Sequence, residues 1–471
     1  MNLLQDTLAR QRRDYSDVSY WLDELGEIEP RPSVEGDAEF DVAIIGGGLS
    51  GLWTAYYLLR KSPGIRVAVL EAQVCGFGAA GRNGGWCNAT ALGLSPAGMV
   101  RKWGRESARQ TILTLRQTLD EIREVTVREG LDVGLVRQGV LRVAHGDAEV
   151  PSIDRSMAVI ERLGLIDGHK RLSEHEAREW INMAGVKGGL YDPFVEWVHP
   201  ALLVRGLANA VERLGGTIHE HSFVTGWQRG TTHQLVTAQG RVKAERVILA
   251  TEAYSIQFSG YRRRLAPMYS FITITEPLSD QQLEAIGWTE RFTLSSQSLT
   301  VDYISRTSDG RIAVGGRGAP YKYASRISDA QDRDRVCHER LQTMFGDYFP
   351  QLHGIRFTHS WGGVLGVPRD WIPNVWYDPA DRVGGAMGFT GQGQLVSNLS
   401  GRIISDLIVG LNSRESHLPF VDHHSRNWEP EPFRWLGVRA VQHGLNRIQS
   451  HAELTGRAPS GRSLAERLSR H

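Results

Sequence analysis

From Asp41 onward, short apolar runs alternate with stretches of helical period. Val42-Ala43-Ile44-Ile45 is a β-type run that stops at Gly46. Apolar residues then recur at Leu49, Leu52, Trp53, Tyr56 and Leu59, the spacing of one helix face. Ser62-Pro63-Gly64 breaks that helix, and Ile65 to Leu70 reads as a second buried strand. A strand, helix and strand in this order predict a parallel sheet. Further helices are predicted near Arg105 to Arg128, over Pro200 to Gly215 and from Gly393 to about Ile408. Strands are predicted at Thr217 to Val224 and Arg246 to Ala250. Residues 268–320 alternate and are rich in β-branched types, as in Tyr269-Ser270-Phe271-Ile272-Thr273-Ile274-Thr275, which predicts a mainly antiparallel second sheet. Residues 1–39 are largely polar, and Pro30 and Pro32 suit an extended lead-in. Beyond Arg414 the tail carries Trp428, Phe433 and Trp435 as anchors for helical packing.

The first strand–helix junction carries the first candidate chemistry. Gly46-Gly47-Gly48-Leu49-Ser50-Gly51 fits G-x-G-x-x-G. Its first glycine permits a tight turn, the second lets backbone approach a pyrophosphate, and the third lets helix and strand pack closely. The phosphates would sit at the helix N-terminus, where free N–H groups and the helix dipole favour negative charge. Glu71 ends the second strand at the spacing, about twenty residues on, where a carboxylate accepts from a ribose diol. Two more glycine-rich pieces follow. One is Gly76-Phe77-Gly78-Ala79-Ala80-Gly81-Arg82-Asn83-Gly84-Gly85. The other is Gly388-Phe389-Thr390-Gly391-Gln392-Gly393-Gln394, which opens the last long helix. NAD has no obvious use for these two pieces. An extended flavin cofactor does, because a helix N-terminus can stabilise negative charge on a reduced flavin.

Composition narrows the rest. The 471 residues suit two or three domains, and 41% hydrophobic with 23% charged residues is ordinary globular usage. With 54 basic against 53 acidic residues, the net charge of +1 gives no reason to expect nucleic acid. Cys75, Cys87 and Cys337 are odd in number and lack metal-ligand spacing, so neither disulfides nor a metal site is expected, and His423-His424 has no further ligands to join it. No apolar run is long enough to span a membrane, and the Arg-containing start has no apolar segment behind it, so a cytoplasmic protein is expected.

Several of these segments together resemble the D-amino-acid oxidase-type FAD superfamily: Ala43 to Gly51, Glu71, Gly78 to Gly85, His199-Pro200-Ala201, Ala250-Thr251-Glu252-Ala253-Tyr254, Trp361-Gly362-Gly363 and Gly388 to Gln394. The matches run in family order over about residues 40–410. Tyr20-Trp21-Leu22 and the GRNGG segment are similar to the gamma-glutamylputrescine oxidase-like and aminophosphonate oxidoreductase branches. The resemblance implies an α/β FAD-binding Rossmann-type domain interleaved with an α+β substrate domain. In segments, this is a lead-in at 1–39, an FAD domain from 40–110, 196–265 and 356–412, a substrate domain from 111–195 and 266–355, and a helical extension at 413–471. It further implies FAD oxidising the C–N bond of a primary or secondary amine, with oxygen or another acceptor taking the electrons.

The resemblance also assigns residues. Gly46, Gly48, Leu49, Ser50, Gly51, Glu71 and Ala72 fall on the first FAD motif. Gly78, Ala79, Ala80, Gly81, Asn83, Gly84 and Gly85 fall on the second. Val224 matches the adenine side, Ala250 and Thr251 the ribose and pyrophosphate, and Gly391, Gln392, Gly393, Gln394 and Leu395 the flavin end. Three departures stand out. No cysteine occurs in Trp361 to Val364, so the FAD is expected to be non-covalent. Leu395 replaces a lysine that helps hold a carboxylate, and Ala313 falls near the lysine linked to oxygen activation.

The candidate catalytic residues are Tyr303, in a strand facing the substrate, Arg317, able to grip an anion bidentately, Gln392 at the flavin edge, and Tyr269. Two other readings stay open: oxidation of a C–O bond, and a non-catalytic flavoprotein subunit.

Overall fold

A computed structural model describes residues 14–288, 290–298, 301–316, 321–459 and 463–469. The first sheet is built outward from the Gly36–Ile45 strand, which pairs in parallel with Val67–Leu70 on one side and Gly240–Leu249 on the other. Thr217–His219 extends it beyond Val67–Leu70, and Val383–Met387 pairs in parallel with Gly240–Leu249. Helix Leu49–Lys61 crosses one face of this sheet. It packs against Gly393–Val409 so closely that a Cβ on Gly401 would lie 2.7 Å from the Trp53 backbone. Leu52, Tyr56, Leu395, Leu399 and Ile403 are fully buried in the core between these helices and the sheet. This is the parallel sheet that the strand–helix–strand pattern predicts.

The second sheet also has eight strands, in the order Phe357–Val367, Ala266–Thr275, Ile312–Gly316, Asp302–Arg306, Thr293–Ser296, Val140–His145, Val186–Asp192 and Lys170–Leu172. All its pairings are antiparallel except that between Thr293–Ser296 and Val140–His145. One of its faces packs on Trp288, Phe345 and Phe349. The other is turned toward the cleft that separates the two sheets.

The structure moves three expected boundaries. The 356–412 segment gives its first strand to the second sheet, because Phe357–Val367 pairs along its length with Ala266–Thr275. The strand expected at Thr217 to Val224 ends at His219, since His221 has φ 51° and the buried Glu220 carboxylate is taken up by Arg31, Arg205 and the Cys75 amide. The lead-in is extended around Pro30 and Pro32, yet Tyr20–Asp23 forms a helical turn capped by Ser19, with Trp21 fully buried.

Beyond the second sheet, Phe433–Thr455 forms a long helix and Leu464–Ser469 a short one. Cys75, Cys87 and Cys337 are free thiols. Among the described residues no helix is long and apolar enough to cross a membrane, and no group of side chains has the makings of a metal site.

Candidate active site

The three glycine-rich pieces converge on one cleft between the sheets. Gly46, with φ 108°, turns the chain out of its strand, and a Cβ there would lie 2.6 Å from the Ala250 carbonyl oxygen. Gly51 sits where a Cβ would lie 2.0 Å from the Gly46 carbonyl oxygen, so only glycine lets the helix start this close to the strand. Gly48 differs: a Cβ there would meet nothing nearer than Ala80 at 3.9 Å, leaving open space over the helix N-terminus. A pyrophosphate suits that space, since the first-turn N–H groups of Leu49–Lys61 lack a side-chain cap.

Glu71 stands at the end of the second strand, as its spacing predicts. Its carboxylate accepts from the Gly47 amide at 2.7 Å and the Gln73 amide at 2.9 Å. Burial, aided by nearby Glu220, pushes its pKa up to about 7 despite those donors. Ala72, Val224, Ala250 and Thr251 line the cleft next to it.

The second glycine piece is held from behind by three tryptophans. Trp21 Nε1 donates to the Asn83 carbonyl at 2.8 Å, Trp361 Nε1 to the Arg82 carbonyl at 2.8 Å, and Trp197 Nε1 to the Gly84 carbonyl at 3.1 Å. Trp21 meets both of the other rings edge-on at 5.9 Å between centroids. The Ser19 hydroxyl donates to the Gly81 carbonyl at 2.7 Å, and the Asn83 side chain bridges Ala79, Ala80 and Gly85 within the loop. Gly78, Ala79, Ala80, Asn83 and Gly84 are thereby set along the cleft. Gly81 and Gly85 are not on its wall: they let the loop fold tightly, a Cβ at either falling within 2.5 Å of a carbonyl oxygen.

The third piece meets the cleft at the N-terminus of Gly393–Val409, where Gly391, Gln392, Gly393 and Gln394 line it. The buried Gln394 side chain has neither its oxygen nor its nitrogen hydrogen-bonded among the described residues, and the buried Ser397 hydroxyl is likewise unpartnered. Buried polar groups of this kind call for a polar ligand. Together with the uncapped helix N-terminus, they fit a flavin ring system. Leu395 does not share this role. Its side chain is fully buried in the hydrophobic core, one position round from Gln394 and turned away from the cleft.

Glu252 completes this end and carries no role from the sequence. With φ 45°, it reaches across to accept from the Gly388 amide at 2.7 Å, the Gly366 amide at 3.2 Å and the Phe389 amide at 3.3 Å. Burial pushes its pKa up to about 7. One carboxylate thus ties the Thr251 turn to the third glycine piece. A signal was present in the sequence: an acidic residue three positions after the Gly240–Leu249 strand, next to Thr251 of the cofactor pattern.

At the far end the second sheet faces the cleft. Tyr303 projects from it with its ring in a slot between two glycines. A Cβ on Gly84 would lie 2.8 Å from the ring, and one on Gly315 only 2.1 Å. The Tyr303 hydroxyl lies 2.9 Å from the Ser270 hydroxyl, and Trp86 meets the ring edge-on. Tyr269 points the other way, because neighbouring strand residues face opposite sides. It is buried, accepts from the Ser328 amide at 3.2 Å and lines a different cavity. Arg317 lies outside the described residues.

Arg142 was not singled out in the sequence, yet it is the one cationic side chain at this end of the cleft among the described residues. It stands beside Ser295 on the neighbouring strand, and among the described residues its one ion pair is a 3.4 Å contact with buried Asp192. The other cleft arginine, Arg82, is committed to Asp332 at 2.6 Å. Asp302 also borders the cleft, but the Ser296 amide and the hydroxyls of Ser295 and Tyr348 occupy its oxygens. Nothing local in the sequence marks Arg142; only the pairing of distant strands brings it to the site.

Comparison with known proteins agrees with this geometry. Residues 41–407 match the model of the DAO family, FAD dependent oxidoreductase. The chain is 28% identical to gamma-glutamylputrescine oxidoreductase of Escherichia coli over 406 residues, covering 83% of this chain and 89% of that protein. It is 24% identical to glycine oxidase of Geobacillus kaustophilus over 374 residues, 78% and 93% of the two chains. The crystal structure of glycine oxidase from Geobacillus kaustophilus superposes with a TM-score of 0.67 at 23% identity, covering 83% of this chain and all of that one.

Proposed function

Since the chain belongs to the DAO family of FAD-dependent oxidoreductases, an enzyme whose cofactor is FAD, we propose that it oxidises the C–N bond of a primary or secondary amine that carries an acidic group. The observation that carries this reading is that Tyr303, in its glycine slot, and Arg142 both line the cofactor cleft where it meets the second sheet. The names of the E. coli and Geobacillus relatives, which act on amine-bearing molecules, support the choice of C–N over C–O oxidation.

FAD, when bound, supplies the acceptor for the hydride taken from the carbon beside the nitrogen. The protein's own residues do the rest. The glycine-rich pieces and Glu71 hold the nucleotide, and Gln394 and Ser397 offer hydrogen bonds to its ring end. Arg142 grips the acidic group with charge-assisted hydrogen bonds, which fixes the reacting carbon in place. The hydroxyls of Tyr303 and Ser270 receive the amine or orient its lone pair. Among the described residues no histidine lines this end, and the Asp302 oxygens are already engaged, so the substrate reacts as the neutral amine after losing its proton to solvent. Arg142 helps here too, since a nearby positive charge disfavours an ammonium. The imine product is hydrolysed by water.

Two finer points belong to the same reading. The FAD is held without a covalent link, because none of the three cysteines lines the cleft. The cleft wall also lacks a lysine among the described residues, which favours an acceptor other than molecular oxygen. Product analysis tests the reaction class. An amine substrate must release ammonia or a shortened amine together with a carbonyl compound, in equal amounts. Conversion of hydroxy acids without any nitrogen release would replace C–N by C–O oxidation.

A further inference from the structure

The Phe433–Thr455 helix lies beyond the 41–407 stretch shared with the family. It is seated firmly at its start. Trp428 Nε1 donates to the Val367 carbonyl at 2.7 Å, Arg263 Nε donates to the Trp428 carbonyl at 2.7 Å, and the Tyr321 hydroxyl donates to Glu431 at 2.7 Å. From there the helix runs as a roof over a second cavity of about 1170 Å³. Val438, Val441 and Leu445 form the apolar underside of that roof. Val301 and Leu365 line both this cavity and the cofactor cleft, so the two spaces meet beside the substrate end.

The wall opposite the roof carries a buried acid. Glu149 is only 9% exposed, yet it lines the cavity. Its carboxylate accepts from the His145 amide at 2.9 Å, from the Gln297 amide and from the Gln449 side chain, which reaches down from the roof. No cation pairs with it among the described residues. Four arginines line the cavity: Arg369 pairs with Glu429 and Arg434 with Glu431, and neither Arg101 nor Arg155 forms an ion pair with Glu149. Burial, with Asp302 nearby, pushes the Glu149 pKa up to about 7, as expected of a carboxyl kept from water without a counter-charge.

We propose that this roofed chamber holds the tail of an elongated amine substrate, and that Glu149 together with Gln449 binds a second ammonium group at the end of that tail. The inference rests on the amine reading above and extends it to a substrate class: a long amine, acidic near its reacting carbon and cationic at its far end. The apolar underside of the helix suits the methylene chain between the two ends. The charge of the terminal group is set by Glu149, a buried acid with no cation beside it among the described residues, because an ammonium there completes a buried pair instead of adding a lone charge.

The test is a binding experiment on FAD-loaded protein held in the reduced state, in which the substrate cannot turn over. Two probe series are compared by calorimetry: N-(ω-aminoalkyl)glycines and N-alkylglycines, with tails matched in length. At the optimal length the ammonium-tailed probe is expected to bind at least about tenfold more tightly than its methyl-tailed partner. Glu149→Gln, which keeps a hydrogen-bonding group for Gln449, is expected to remove that difference and leave the methyl-tailed series unchanged. A Glu149 that only clasps the roof would move both series equally. Equal affinities in the parent protein, a preference that survives in Glu149→Gln, or no binding of either series would overturn the proposal. Failure of the amine reading looks different: the ammonium-tailed probe binds selectively but never reduces the oxidised flavin.

Discussion

Trp21 Nε1 donates to the Asn83 carbonyl at 2.8 Å, so a residue of the lead-in fixes the second glycine piece of the cofactor cleft. The contact spans 62 residues of sequence and joins two elements that have no strand pairing between them. Trp21→Phe keeps an aromatic ring but leaves the buried Asn83 carbonyl without its donor. The loss is expected to be about 1–3 kcal/mol in local stability. FAD dissociation should then quicken by about tenfold or more, read from the rise of free-flavin fluorescence after dilution. An unchanged dissociation rate would mean that the loop holds its shape without Trp21.

The slot around Tyr303 gives a second expectation. Gly315→Ala places a methyl group where the structure leaves 2.1 Å to the ring. The ring must leave its slot, and the Ser270 contact goes with it. FAD content should stay at the parental level while the rate of flavin reduction by substrate falls by about tenfold or more. Tyr303→Phe, which keeps the ring and loses the hydroxyl, should have the smaller effect. Stopped-flow reduction of both variants separates positioning by the ring from hydrogen bonding by the hydroxyl.

Glu71 links FAD binding to pH. Its pKa of about 7 lies above the ordinary 4.5, so in the FAD-free protein it favours the native fold at low pH, and that contribution is lost as pH rises from about 4.5 through about 7. A ribose diol donating to the carboxylate favours its charged form and lowers its pKa. FAD binding should therefore release protons near neutrality, and affinity should rise with pH up to about 7 and then level off. Calorimetric titrations in buffers of different ionisation enthalpy measure the released proton directly. An affinity independent of pH across this window would show that Glu71 gains no donor from FAD.

Arg142 sets the expectation for specificity. Arg142→Met removes the charge but keeps an unbranched apolar side chain. KM for acidic amines should rise by about tenfold to a hundredfold, in line with the loss of a charge-assisted bidentate contact, while neutral amines of similar size are unaffected. Equal effects on both classes would mean that Arg142 serves the fold through Asp192 instead of the substrate.

The parts of this site that could be read from sequence act through the backbone or over short range. Gly46 makes its own turn with φ 108°, Gly51 is fixed by the Gly46 carbonyl five residues before it, and Glu71 is placed by the length of one helix and one strand. Where the sequence misled, the cause was long-range geometry. Tyr269 and Ser270 occupy one strand with opposite orientations, and only the pairing with distant strands decides which one meets the cleft. Leu395 sits next to Gln394, but one step along a helix turns its side chain by about 100°, from the cleft into the core. Arg142, Glu149 and the roof helix reach the site from segments with no local motif at all.

The most direct test of the central claim is anaerobic titration of the purified flavoprotein with amines, amino acids, aminophosphonates and hydroxy acids, watching the flavin absorbance. Bleaching by an amine with an acidic group, and not by the matching hydroxy acid, is the expected result. A protein that carries no flavin, or one bleached only by hydroxy compounds, would contradict it.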